Sequence, residues 1–332
     1  MRHFTIPYGE HGWHYGLRLH QPDREEPARL SQSRYVAFRL QVRQHEYSCI
    51  LRGGKLLQQY MVDMWACIDQ SRLSYLRHNQ GKLRASLYSG LEDALSGEDE
   101  VDLHTLGQRY ILPSSYIGGP RHMQQRFQDA MTIARYFRKV DVLLTMTANP
   151  RWEEIIRELL PGQTPHDRPD LVARVFSMKL KALLDDLYKH GIFGMTVAYV
   201  YVIEFQKRGL PHAHILIIFR APYKLLTPAD VDSLICAEWP NPITQPLLFE
   251  TIKTCMVHGP CGPLNPFSVC MENGKCTKFY PKSFQSQTRM DVDGYPLYRR
   301  RDDGRGEPAH DRAVLLAVPE GRPRGRGAPA DP

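Results

Sequence analysis

The sequence predicts an α+β protein in which a helical N-terminal region precedes an antiparallel sheet flanked by helices, and a small segment rich in Cys and His follows. Apolar residues recur at three- and four-residue intervals in the N-terminal third, which is the period of a helix. Two apolar, β-branched and aromatic runs flank a Gly-Leu-Pro break near residue 210, a pattern typical of a hairpin. Tight antiparallel pairing after several helices favours this class over a doubly wound sheet.

The chain of 332 residues divides into five expected segments. They are an irregular lead-in over 1–33, a helical region over 34–110, an α+β core over 111–250, a Cys/His segment over 251–301 and a disordered tail over 302–332. The tail is rich in Arg, Gly and Pro, and its composition is typical of disorder.

Composition narrows the class of partner. No apolar run approaches the ~20 residues of a membrane span, and the first residues form no signal peptide, so we expect neither membrane insertion nor export. The formal charge of +7 suits an anionic partner such as nucleic acid. Seven cysteines in a chain without an export signal favour reduced thiols or metal ligands over disulfides.

In the helical region we predict one helix near Ala37–Leu51, a break at Gly53-Gly54 and a longer second helix. The second helix has an apolar stripe that we expect to be core, made of Leu56, Leu57, Tyr60, Met61, Met64, Trp65, Ile68 and Leu73. A shorter third helix ends near Leu95, and an acidic loop follows over 96–101.

The α+β core begins with a predicted helix over 121–137. Its start at Gly118-Gly119-Pro120 fits two interpretations equally well: free backbone N–H groups that hold a phosphate, or an ordinary helix start with Pro in the first turn. A strand follows over 141–147, a short helix over 152–160 and a longer helix over 170–190. The longer helix has an apolar face made of Val172, Val175, Phe176, Leu180, Leu183, Leu184 and Leu187.

The hairpin over 197–219 carries the first candidate metal site. Folding it about Arg208 places Glu204 opposite His212. His214 shares the face of His212, because side chains two apart on a strand point the same way, roughly 6.6–6.8 Å apart. Two imidazoles and one carboxylate on one face form a three-ligand site with open positions for water or substrate.

The alternative for this hairpin is a partly exposed polar patch in which Glu204 only pairs with His212. The apolar neighbours favour a metal site, because burying three polar groups among them costs free energy unless a metal or a partner satisfies them. These neighbours are Ile203, Ile215, Leu216 and Ile217.

A second candidate metal site lies in the Cys/His segment. One imidazole and three thiols, separated by Gly, Pro and Asn, form a reasonable structural zinc site, and the alternative is a loop of free thiols. The four ligands are His258, Cys261, Cys270 and Cys276, and Cys255 is a possible substitute. The other cysteines lie in apolar contexts and are expected to be inert core residues: Cys49, Cys67 and Cys236.

Several motifs resemble one family in the same order along the chain. Residues 204–215, EFQKRGLPHAHI, resemble the second motif of HUH endonucleases, specifically of Helitron rolling-circle transposases, and residues 144–152, LTMTANPRW, resemble the first motif. Similar segments occur at 112–121, 128–131, 54–63 and 72–75, and a similar Cys/His segment is found in Helitron proteins. The resemblance runs from about residue 7 to 301 and includes the helicase-like N-terminal region of that family.

The resemblance implies a transposable-element protein that nicks and joins single-stranded DNA with an active-site tyrosine. It implies Mg²⁺ or Mn²⁺ bound by Glu204, His212 and His214, in addition to the possible structural Zn²⁺. It also implies a nuclear location and single-stranded DNA as partner. The basic residues expected to contact DNA are Arg121, Lys207 and Arg208.

The chain departs from the family after Arg301. The family's nucleophilic tyrosines lie on a helix well downstream of the Cys/His segment, and this sequence has no tyrosine after Tyr298. We therefore expect a fragment that is truncated before its catalytic tyrosines, with Tyr295 and Tyr298 as the remaining candidates. The alternatives are a single-stranded DNA-binding module without catalysis and a metal-dependent hydrolase that activates water.

Overall fold

The computed structural model describes residues 11–20, 27–43, 45–83, 110–206, 209–292, 296–302, 304 and 315–316. The fold is mixed α+β with several small sheets. It divides into two compact units: one comprises 1–138, 145–180 and 201–214, and the other comprises 139–144, 181–200 and 215–332. Within the described ranges, none of the helices combines the length and apolar character that crossing a bilayer requires.

The start of the first unit contains one short antiparallel pair, β1 (Arg18–Leu19) with β2 (Ala28–Arg29), in a stretch predicted to be irregular. The indole N–H of Trp13 donates to the carbonyl of Leu30 at 2.9 Å and holds the two ends of this stretch together. Helix α1 (Gln32–Arg39) follows, and the Ser31 hydroxyl caps it by accepting from the Arg34 N–H.

The helix predicted near Ala37–Leu51 is wrong in position, because α1 begins at Gln32 and ends at Arg39. The Ser31 cap sets its start, and Ile50 and Leu51 are buried in a turn that packs against α2 (Lys55–His78). Gly54 precedes α2 with φ +53°, a backbone conformation that favours glycine, so the predicted break at this position is confirmed.

The apolar stripe of α2 is only partly core. Leu57, Tyr60 and Ile68 are buried, whereas Leu56 and Trp65 are exposed, so the prediction that the whole stripe is core is wrong. The eight apolar residues are spread around more of the helix circumference than one packing partner can bury. A 3₁₀ turn follows over Gln80–Leu83. The predicted third helix beyond it and the acidic loop over 96–101 lie outside the described residues.

The next elements match the predicted order. They are α3 (Pro120–Phe137), β3 (Val142–Thr147), α4 (Glu153–Ile156) and α5 (Pro169–Tyr188). Helix α4 is shorter than the predicted 152–160. The predicted face of α5 is confirmed as core for Val172, Val175, Phe176, Leu180 and Leu187, which are all buried.

The main sheet has three strands in the order β3-β5-β4, with β4 (Thr196–Phe205) and β5 (Pro211–Phe219) forming the predicted hairpin. The N–H of Ala148 donates to the Pro211 carbonyl at 3.0 Å, and the N–H of Asp141 donates to the Ile217 carbonyl at 3.0 Å, as antiparallel pairing of β3 with β5 requires. The central strand β5 therefore has a neighbour on each side.

A buried carboxylate secures the end of this sheet. The Asp141 side chain is fully buried and accepts hydrogen bonds from the Phe219 N–H and the Lys224 ammonium, both at 2.8 Å. Because a buried charge must be paired and hydrogen-bonded, this contact ties β3 to the chain that leaves β5.

The remainder of the second unit consists of short elements. They are α6 (Pro228–Asp232), β6 (Ile235–Cys236), α7 (Pro246–Cys255), β7 (Met271–Glu272), β8 (Lys275–Cys276), β9 (Arg289–Met290), β10 (Pro296–Leu297) and β11 (Leu315–Leu316). Strand β11 pairs with β6 and falls in the tail predicted to be disordered, most of which lies outside the described residues.

Candidate metal centres

The β4–β5 hairpin has the predicted register. The N–H of Gln206 donates to the Leu210 carbonyl at 3.0 Å, which places Glu204 opposite His212. Gly209, with φ +78°, donates its N–H to the Gln206 carbonyl at 2.8 Å and closes the loop. The rings of His212 and His214 lie side by side on one face, with centroids 4.6 Å apart and planes at 75°.

Two threonines of β3 hold these imidazoles. Thr147 Oγ1 lies 2.6 Å from Nδ1 of His212, and Thr145 Oγ1 lies 3.2 Å from Nδ1 of His214. The amide of Gln206 is also 3.4 Å from Nδ1 of His212. Hydrogen bonding at Nδ1 fixes the ring orientation and leaves Nε2 as the atom available to a ligand.

Glu204 reaches the diagonal histidine instead of the one directly opposite. Its Oε2 lies 3.9 Å from Nε2 of His214. The carboxylate is 61% exposed and the His214 side chain is 37% exposed. The structure therefore brings the three predicted ligands onto one face in an open arrangement, which differs from the buried apolar setting that the sequence suggested.

The physical reason for this difference is the alternation of side chains along the strand. Ile215 and Ile217 are fully buried, but they point away from the face that carries His212 and His214. Ile203 on β4 is exposed, because the C-terminal half of this edge strand is uncovered in the described part of the chain. Leu216 does share the face of the two histidines and is half-buried, so of the four apolar neighbours in sequence it alone lies on the side of the ligands.

The Cys/His segment forms a tight cluster in the second unit. The ligand atoms of His258, Cys261, Cys270 and Cys276 all lie within 4.8 Å of one another. Nε2 of His258 is 3.3 Å from the Cys276 sulfur and 3.8 Å from the Cys261 sulfur. The three cysteines are buried and the histidine is half-buried. Three thiols and one imidazole are a common donor set for structural zinc, so this cluster could hold such a metal.

Local geometry explains why these four residues meet. Strands β7 and β8 form a hairpin with Asn273 and Gly274 in its turn, both at positive φ, and the turn brings Cys270 and Cys276 to the same end. The ring of Tyr280 stacks on His258 with centroids 4.3 Å apart. Burial acts to raise the pKa of the Cys276 thiol, but hydrogen bonds from the backbone at Tyr280 and Lys278 and from His258 lower that pKa to about 6.

Of the three cysteines predicted to be core residues, one is buried, one is half-buried and one is exposed. Cys236 is buried and Cys49 is half-buried, whereas Cys67 is exposed on α2, so its prediction as a core residue is wrong. Cys67 lies beside Ile68 in sequence, but neighbours on a helix point about 100° apart and only Ile68 is buried. Cys255, the possible substitute ligand, is exposed and does not belong to the cluster.

The predicted DNA-contacting and catalytic residues are described only in part. Arg121 lies half-buried in the first turn of α3. At the Gly-Gly-Pro start of that helix, the Gly118 N–H is 3.4 Å from Nδ1 of His122. Tyr298 is half-buried, and burial raises the pKa of its phenol. Lys207, Arg208 and Tyr295 lie outside the described residues.

Sequence reasoning missed the two threonines. Thr145 and Thr147 alternate along β3 inside the motif LTMT, so a period of two was visible in the sequence. Their role depends on which strand neighbours β5, and local sequence pattern does not define that pairing.

The fold and both centres define an α+β protein with an open His/Glu arrangement on an antiparallel sheet and a closed Cys/His cluster. The family model described as the Helitron helicase-like domain at N-terminus matches residues 35–217, which is more than half of the chain. The chain therefore belongs to the Helitron helicase-like N-terminal family, which indicates a transposon-derived protein that interacts with DNA. A comparison with curated proteins gives no match.

Proposed function

We propose that this protein is a Helitron-type HUH endonuclease domain that nicks and joins single-stranded DNA in a metal-dependent reaction. Glu204, His212 and His214 would hold Mg²⁺ or Mn²⁺, and Arg121, Lys207 and Arg208 would contact the DNA backbone. As in the family, the protein would act in the nucleus. The candidates for the nucleophile are Tyr295 and Tyr298.

The observation that supports this proposal best is the shared face of the three side chains. Both imidazoles have Nδ1 within hydrogen-bond distance of a threonine hydroxyl, so Nε2 of each ring is available as a metal ligand. The Glu204 carboxylate lies 3.9 Å from Nε2 of His214. An imidazole–carboxylate set with open positions suits a catalytic divalent ion that also binds phosphate oxygens. The exposure of Glu204 and His214 leaves room for a DNA strand.

A bound divalent ion would supply Lewis-acid polarisation of the scissile phosphate. The chain's own contribution is orientation and charge. Thr145 and Thr147 fix the imidazole rings, and cationic side chains attract the strand. In the transesterification, a nucleophile's hydroxyl oxygen bonds to phosphorus, the bond from phosphorus to the 3′-oxygen breaks, and the hydroxyl proton ends on that 3′-oxygen.

The environment of the candidate nucleophile Tyr298 bears on a second candidate function, which is DNA binding without cleavage. Tyr298 is half-buried with its pKa raised by burial, which makes its phenolate harder to form at neutral pH. This observation favours the alternative that the chain by itself binds single-stranded DNA without cutting it. A reaction with water as nucleophile would instead leave no covalent protein–DNA adduct.

Mn²⁺ binding tests the metal site directly. In a titration followed by electron paramagnetic resonance, the wild type should bind Mn²⁺, and the double variant His212→Ala/His214→Ala should not. The matched control is His190→Ala, because His190 also lies 2.9 Å from a carboxylate, that of Asp186, on an exposed surface. Binding that survives the double substitution would eliminate the metal site and the nuclease proposal with it.

Covalent capture tests the reaction. A fluorescent single strand incubated with the protein and Mn²⁺ and run on a denaturing gel should show a protein–DNA adduct if a tyrosine attacks. Cleaved strand without an adduct would indicate attack by water. Strand binding with neither cleavage nor adduct, at any protein concentration, would replace the nuclease proposal with the binding module.

A further inference from the structure

A cleft of about 650 Å³ opens in the first unit, on residues that belong to neither metal centre. Its walls come from the lead-in, from α1 and α2, and from the loop that precedes α3. The volume is within the range of small-ligand sites. Five side chains define its chemistry: Trp13, Arg29, Arg72, Tyr75 and Tyr116.

Two aromatic residues of the cleft, Trp13 and Tyr116, have their polar atoms in hydrogen bonds, which leaves their ring faces for contact. The Trp13 indole N–H donates to the Leu30 carbonyl at 2.9 Å. The Tyr116 hydroxyl donates to Oδ1 of Asp69 at 2.7 Å, and this bond raises the pKa of the phenol. Tyr75 is 61% exposed, although it lies in the wall of a concave site. An exposed aromatic ring in a cleft is available for stacking.

The charge of the cleft wall is positive. Among the described residues that line the cleft, Arg29 and Arg72 are charged and none is Asp or Glu, although Asp69 lies behind Tyr116. The guanidinium of Arg29 lies 4.3 Å over the Tyr15 ring, and that of Arg72 lies 5.4 Å from the Trp65 ring centre. Contact with a ring orients a guanidinium but leaves its N–H donors for an anion.

We infer that this cleft binds a nucleotide of single-stranded DNA, with the base stacked on Tyr75 and its phosphate paired with Arg72 and Arg29. Aromatic faces beside guanidinium groups are the combination that single-strand binding sites use. An apolar peptide would leave both guanidinium groups without an anion, whereas a phosphate complements them. The site is separate from the Glu204/His212/His214 arrangement, so it adds a strand-holding function to the proposed chemistry.

The test is fluorescence anisotropy with a fluorescein-labelled oligothymidylate on the His212→Ala/His214→Ala background, without added divalent metal and without a chelator, so that the Cys/His cluster keeps its metal. These conditions remove the metal site, so failure of the nuclease proposal and failure of this one are distinguishable. Tyr75→Ala should weaken binding by about 5- to 150-fold, the range for loss of one base–aromatic stack. Arg72→Ala should reduce the slope of log K against log salt by about 0.7, as expected for one lost phosphate contact on a single strand.

Matched controls come from a similar pair outside the cleft. Tyr47 is 69% exposed, and the guanidinium of Arg52 lies 4.6 Å from its ring centre, so Tyr47→Ala and Arg52→Ala remove the same chemistry elsewhere in the unit. They should leave affinity within about twofold of the parent. Tyr75→Phe, which keeps the ring, should bind like the parent, and this variant separates loss of stacking from a folding defect.

Two outcomes would overturn the inference. One is equal affinity of the Tyr75→Ala, Arg72→Ala, Tyr47→Ala and Arg52→Ala variants for the strand. The other concerns an abasic strand, which has phosphates but no bases to stack. If Tyr75→Ala weakens binding of this strand as much as it weakens binding of the oligothymidylate, stacking is not the role of Tyr75. Competition identifies the source of the nucleotide: we expect excess thymidine monophosphate to displace the strand only weakly, and equal potency would assign the cleft to free nucleotides.

Discussion

The two candidate metal centres share imidazole as a ligand type but differ in how open they are. The centre on the sheet, Glu204 with His212 and His214, is open, and its carboxylate is 61% exposed. The centre around His258 is closed, with three buried cysteines whose ligand atoms converge within 4.8 Å. A closed four-ligand set leaves no position for a substrate, whereas an open three-ligand set does.

The difference also concerns what holds each centre in place. The open centre lies on strands that are held by backbone hydrogen bonds and by the buried Asp141, which are contacts between protein groups alone. The closed centre is built on short elements, in which β7 and β8 have two residues each and the buried cluster consists of the cysteines themselves. We therefore expect the metal to be a ligand for one region and part of the fold for the other.

The largest effect is expected from Cys261→Ala. Cys261 is fully buried in the cluster, and its loss should abolish zinc binding and unfold the segment around β7 and β8. Structural zinc contributes on the order of 10 kcal/mol in small zinc peptides. Metal analysis and hydrogen exchange provide the measurement. Cys255→Ala, at an exposed cysteine outside the cluster, is the control and should retain zinc. Full zinc content in Cys261→Ala would contradict a closed metal centre.

Asp141→Ala should damage the sheet without any involvement of metal. It leaves the Lys224 ammonium and the Phe219 N–H without their shared acceptor, and loss of one partner of a buried pair costs about 3–5 kcal/mol. Urea unfolding measures the free energy, and EDTA should not change the difference. Asp186→Ala, which removes a surface carboxylate, should change the free energy of unfolding by less than about 0.5 kcal/mol. Equal losses in the two variants would show that Asp141 is not a structural anchor.

Thr147→Val tests whether the open centre is oriented from β3. The substitution removes the hydroxyl 2.6 Å from Nδ1 of His212, and loss of such a supporting contact typically weakens metal binding by about 10- to 100-fold. Thr145→Val should have a smaller effect, because its contact with His214 is longer at 3.2 Å. The control is Thr132→Val on α3, whose hydroxyl donates to the Gln128 carbonyl of the same helix. Unchanged Mn²⁺ affinity in Thr147→Val would exclude this orienting role.

Acidification should weaken zinc binding at the closed centre. Because the pKa of the Cys276 thiol is lowered to about 6, the metal-free protein already has this ligand deprotonated at pH 7. Below about pH 6 a proton must leave the sulfur before zinc binds, so the apparent affinity should fall by a further factor of about ten per pH unit. A competition titration with a chromogenic chelator measures this. If the dependence of the apparent zinc affinity on pH does not become steeper below pH 6, this prediction is wrong.

The smallest effect is expected from Glu204→Gln on stability. The carboxylate is 61% exposed and 3.9 Å from His214, so the free energy of unfolding should change by less than about 0.5 kcal/mol. Mn²⁺ affinity should nevertheless fall, because a carboxylate is replaced by a weaker ligand. Calorimetry measures both quantities. A large loss of stability with unchanged Mn²⁺ affinity would make Glu204 a structural residue.

Sequence patterns within single elements, such as turn residues and the spacing of apolar residues, predicted several of those elements correctly. Gly209 and the apolar runs on either side predicted the hairpin and its register, and the spacing of Val172, Phe176 and Leu180 predicted the buried face of α5. The residue types of His258 and the three cysteines, together with a similar segment in Helitron proteins, predicted the cluster, although their spacing is not that of a standard zinc finger.

The sequence by itself determined which residues can meet within one hairpin, because register and the alternation of faces follow from strand geometry and a local turn. Only the tertiary structure decided that β3 lies beside β5, and therefore that Thr145 and Thr147 support the two histidines. It also decided that Glu204 and Cys67 are exposed and that a cleft forms around Tyr75. Exposure depends on what packs against an element from elsewhere in the chain, and periodicity within the element does not contain that information.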